Sequence, residues 1–141
     1  MSVDDRVVDV ARGWVDKAEN DLKTAVHTLT ITDDCPTDTV CFHAQQCVEK
    51  YLKALLALRQ TPFPRVHSVA ALVALLPQGS RPPISGAEQE RLTDYAVVAR
   101  YPGEYEPISR PEARRAVAVA RRVRREVRRW LPLRARRRKK A

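Results

Sequence analysis

Aromatic side chains make up only 6% of the 141 residues, so aliphatic groups must fill whatever interior the chain builds. Long apolar runs are missing too. Val69 to Leu76 is eight residues long, far short of the roughly 20 that a membrane-spanning helix needs. Asp4 and Asp5 stand where a secretory signal would carry positive charge ahead of an apolar stretch, so a cytoplasmic protein is expected, with no membrane partner. Cysteine is limited to Cys35, Cys41 and Cys47, an odd number without a Cys-x-x-Cys pair. Cys41, His43 and Cys47 make a poor metal set, because residues two apart on a helix point about 200° apart. Buried thiols are the expectation, with neither a metal nor a cofactor. No internal repeat is present.

What the chain has in abundance is positive charge, and it is segregated. Residues 110–141 hold fifteen Lys/Arg against two acids, for +13, while residues 1–109 hold eleven against fifteen, for −4. The length suits one domain, and we expect a bundle over residues 1–132 followed by a basic, disordered tail at 133–141.

Apolar periodicity predicts an all-α fold: an up-and-down bundle of four to five helices, two of them long and antiparallel. A first helix over about 3–30 would turn Val7, Val10, Ala11, Trp14, Ala18, Leu22, Ala25, Val26 and Leu29 inward. A second starts with Thr37 or Asp38 as its cap and runs to about Gln60, where Thr61-Pro62-Phe63-Pro64 stops it. A short helix over 68–76 and a fourth over 87–99 follow. Pro111 opens a fifth, which would bury Ala113, Ala116, Val119, Ala120, Val123, Val127, Trp130 and Leu131.

The second helix is the most informative. Val40, Cys41, Ala44, Cys47, Val48, Tyr51, Leu52 and Leu55 share one arc, while His43, Gln46, Lys50 and Lys53 line the other. Four segments together resemble the HEPN family (higher eukaryotes and prokaryotes nucleotide-binding domain). They are the Trp14–Leu22 helix, Phe42-His43-Ala44-Gln45-Gln46-x-Val48-Glu49-Lys50-x-Leu52-Lys53, the Val66-His67-Ser68 turn before an apolar helix, and Arg100-Tyr101-Pro102.

That resemblance implies a protein that binds nucleotide or RNA, forms a homodimer and acts beside a minimal nucleotidyltransferase partner in a toxin–antitoxin-like module. Many members are metal-independent ribonucleases in which an arginine is followed a few residues later by a histidine. Here Arg100 precedes Tyr101-Pro102-Gly103-Glu104-Tyr105-Glu106-Pro107, and no histidine lies beyond His67. Tyr105 holds the expected spacing, but a phenol titrates near about 10 and makes a poor base at neutral pH. Cleavage would therefore rest on Arg100 with His43 or Tyr105. Lys50, Lys53, Arg100 and Tyr101 are the candidate nucleotide or phosphate contacts, and Phe42, on the polar side of its helix, is the candidate dimer contact. A third reading is a non-catalytic helical module that docks an acidic protein.

Helix five carries Arg114, Arg115, Arg121, Arg122, Arg124, Arg125, Arg128 and Arg129 outward. Its like-charge i, i+4 pairs cost roughly 0.2–0.5 kcal/mol each in an isolated helix. Either the acidic stripe of helix one or an external polyanion must offset them.

Overall fold

In a computed structural model, the described residues are 4–98, 101–103 and 105–136. They form six α-helices: α1 (Asp5–Leu29), α2 (Thr37–Leu58), α3 (Val69–Ala74), α4 (Gly86–Val98), α5 (Arg110–Trp130) and α6 (Leu133–Arg136), with a 3-10 turn at Gln78–Ser80. Among the described residues there are no strands, and no helix is long and apolar enough to cross a membrane.

Side-chain pairs fix the helix directions. Residue 14 faces 53, 21 faces both 43 and 50, and 28 faces 35, so α1 and α2 run antiparallel. Arg110 reaches Leu29 and Arg124 reaches Glu19, which sets α5 antiparallel to α1. Helix α4 crosses to α5 through Arg91–Glu112 and Glu88–Arg122.

The expected core arc of α2 is buried in full, from Val40 to Leu55, joined by Ala54 and Leu56. On α1 the register differs from the expectation. Val8, Ala11, Val15, Ala18, Leu22 and Ala25 are buried at alternating steps of three and four, a narrow seam against α2, whereas Val10 is 55% exposed. Trp14 packs at the edge of the core. On α5 the expected inward set holds except for Trp130, which is 38% exposed because the helix ends there and Leu131 turns in instead.

Helix ends are set locally. Ser68 caps α3 through Ala71 N–H, and Ser109 caps α5 through Glu112 N–H. Neither Thr37 nor Asp38 caps α2: Pro36 holds that position, and the Thr37 hydroxyl donates instead to the Ile108 carbonyl at 2.7 Å. Helix α2 stops before its prolines. Gln60 sits at φ 55°, Gln60 N–H bonds Ala57 O, and Thr61 N–H bonds Leu56 O, a Schellman closure with a non-glycine residue in the left-handed position. Beyond Pro132, where a disordered tail was expected, residues 133–136 form a helical turn that buries Ala135. Arg12 donates to the Arg134 carbonyl, and Arg134 pairs with Asp5. Residues 137–141, the rest of that tail, lie outside the described residues.

Candidate functional site

Three regions collect the side chains that could do chemistry. The first is a polar seam along α2. Asp21 of α1 is only 8% exposed, and its carboxylate is gripped from two sides. His43 Nδ1 lies 2.8 Å from Oδ1, and Lys50 Nζ lies 2.5 Å from Oδ2. One turn further along, Glu49 is 2% exposed and accepts from Gln45 at 2.9 Å, Gln46 at 3.0 Å and Lys53 at 2.8 Å, with His67 Nδ1 at 3.2 Å. Burial pushes the Glu49 carboxyl up, but the donors Lys53 and Gln45, the Lys53 charge and His67 outweigh it and hold the group below the usual carboxylate range. Lys53 Nζ also stands 5.2 Å from the Trp14 ring and 5.8 Å from that of Phe63, and the two rings meet edge to face at 6.0 Å.

The stripe expected to offer free cations to phosphate is therefore internally neutralised. Lys50 and Lys53, 23% and 11% exposed, each hold a buried acid, and His43 is tied to Asp21. Phe42 is half-buried and stacks edge to face on His43 at 5.3 Å. Asp21, Glu49, Gln45 and Gln46 were not singled out as site residues from the sequence. Their signal was position: Asp21 sits beside Leu22 in the apolar seam, and Gln45 and Glu49 flank Ala44 and Val48.

The second region surrounds the Arg-Tyr-Pro turn. A cavity of about 430 Å³ is lined by Thr37, Asp38, Tyr101, Pro102, Tyr105 and Glu106, among others. Tyr101 is 61% exposed and Tyr105 44%. Arg100, the residue on which both the catalytic and the phosphate-binding expectations rested, lies outside the described residues, as does Glu104. His43 is not among the described residues that line this cavity.

The third region is a groove of about 590 Å³ between α1 and α5, lined by Glu19, Leu22, Lys23, Val26, Arg121, Arg124, Arg125 and Arg128. Five cations face one carboxylate. Glu19 Oε1 accepts from Arg124 Nε at 2.8 Å and from Arg128 Nη1 at 3.1 Å. Lys23, Arg121 and Arg125 have no ion pair among the described residues. Burial draws the Arg124 guanidinium down, but Glu19 and Tyr51 beside it raise it further above its ordinary range. The buried Tyr51 hydroxyl interacts with Arg124, Arg128 and Glu19, and burial pushes its phenol up. The acidic stripe of α1 thus offsets only part of the arginine face.

Of the three cysteines, Cys41 and Cys47 are buried free thiols, and burial pushes Cys41 up to about 12. Cys35 is half-buried and donates to the Thr28 carbonyl.

Residues 11–130, most of the chain, match the model of the HEPN domain. Neither a curated protein nor a solved structure matches the chain. The seam on α2, the antiparallel α1–α2 pair and the Arg-Tyr-Pro turn all fall within the matched span, and the chain belongs to the HEPN domain family.

Proposed function

We propose that this HEPN protein binds RNA or nucleotide phosphates through the α1–α5 groove and acts without cleaving them, beside a minimal nucleotidyltransferase partner. The observation that carries the RNA reading is the charge of the groove, where Lys23, Arg121, Arg124, Arg125 and Arg128 outnumber Glu19 and, at the adjoining end, Asp16. Guanidinium groups suit phosphate because their planar N–H pairs match two of its oxygens. Such contacts are indifferent to base sequence. Tyr101, exposed beside the Arg-Tyr-Pro cavity, is the residue we assign to a base or nucleotide ring, since an open phenol face stacks on any base. We assign Phe42, at the solvent edge of the α1–α2 pair, to a homodimer contact, which molar-mass measurement of wild type and Phe42→Ala tests directly.

Cleavage has less support. His43 is engaged by Asp21, and the cavity that holds Tyr105 also carries Asp38 and Glu106, two carboxylates that repel a phosphate backbone. The experiment incubates purified protein with fluorescein-labelled single-stranded RNA in EDTA. Retention of intact RNA by the protein is the expected result. Cleavage that disappears in Arg100→Ala would move the protein to the ribonuclease reading, and neither binding nor cleavage would leave the acidic-protein module.

A further inference from the structure

We infer that Glu19 stands in the place of an RNA phosphate between Arg124 and Arg128, and that bound RNA displaces it from the two guanidiniums. This inference rests on the RNA reading of the groove.

The geometry carries it in two steps. First, Glu19 Oε1 bridges Arg124 Nε at 2.8 Å and Arg128 Nη1 at 3.1 Å, with Oε2 3.1 Å from Arg124 Nε. An anionic oxygen shared by two guanidiniums is the arrangement a phosphate oxygen adopts, and a phosphate brings more acceptor atoms to it. Second, the pair is exchangeable. Glu19 is 26% exposed, Arg124 39% and Arg128 25%, so solvent and ligand reach all three. Lys23, Arg121 and Arg125 stand around them without ion pairs among the described residues, ready to hold the neighbouring phosphates.

Glu19 is thus a competitive anion built into the site, and a phosphate on the two arginines displaces it toward solvent.

The test measures binding of a fluorescein-labelled 12-nucleotide oligouridylate to the full chain in about 0.1 M salt with EDTA. The variants are Glu19→Gln and Asp16→Asn. Asp16 lines the adjoining end of the same groove and has no ion pair among the described residues, so its variant controls for charge alone. Glu19→Gln should bind about fivefold more tightly than wild type, and Asp16→Asn less than about twofold more tightly. Should Glu19→Gln lose its fold, as seen by circular dichroism, Glu19→Ala takes its place. Equal gains in Glu19→Gln and Asp16→Asn overturn the inference, since they reduce it to bulk charge. RNA bound equally by wild type and Glu19→Gln also overturns it, while leaving the RNA reading intact. No RNA bound by either overturns both.

Discussion

Lys53 lies one helical turn beyond Glu49 and holds its 2%-exposed carboxylate at 2.8 Å while covering the Trp14 ring. A buried carboxylate of this kind persists because Gln45, Gln46 and His67 complete its shell, joining α2 to the loop before α3. The motif that most resembles the family is therefore in large part a structural clamp.

The clamp makes stability depend on acid. The Glu49 carboxyl is held below its ordinary range when folded, so its contribution is present above the unfolded carboxylate value of about 4.3 and is lost as pH falls through the folded one. Urea unfolding at about pH 7 and about pH 3.5 should show wild type losing stability, whereas Glu49→Gln starts lower and changes less. Parallel losses in the two proteins would locate the acid sensitivity elsewhere.

Asp21 holds two partners at once, Lys50 and His43. Asp21→Ala leaves Lys50 and His43 without their carboxylate at a partly buried position, and the expected loss is about 1–3 kcal/mol after allowance for their partial exposure. A double variant that also carries Lys50→Met should recover part of that loss. Additive losses would show that the Asp21–Lys50 pair is not coupled.

Gln60 closes α2 in the left-handed region at φ 55°. That conformation costs an L-residue roughly 1–2 kcal/mol, and glycine adopts it without strain but with a larger loss of backbone freedom. Gln60→Gly should therefore raise stability by about 0.5–1 kcal/mol. Thermal melts provide the check, and a lowered midpoint would mean that the Gln60 side chain contributes a contact of its own.

The α2 core was legible in the sequence because its apolar arc is continuous, and the same holds for Ala113 to Val127 on α5. The register of α1 was harder to read. Val7, Val8 and Val10 are all apolar, and only packing against α2 decides that Val8 goes in and Val10 out. Asp21 and Glu49 were invisible as interior groups for a different reason: a single helical wheel places charges in solvent, and these two are buried with Lys50 and Lys53 as counter-charges and a histidine ring against each. The same contacts pair Lys50 and Lys53, whose spacing suggests phosphate contacts, with buried carboxylates. Leu133–Arg136 reads as tail in the sequence because Pro132 and the arginines mask one small residue, Ala135, which packs inward.

The most direct test of phosphate binding by the groove is the salt dependence of RNA affinity in wild type and in Arg121→Ala/Arg125→Ala. Both arginines face the groove and neither has an ion pair among the described residues, so the fold should survive their loss. Removal of two phosphate contacts on a single strand should flatten the plot of log affinity against log salt by about 1.4 units. A slope identical to that of wild type would contradict the account, because the RNA would then be held somewhere other than between α1 and α5.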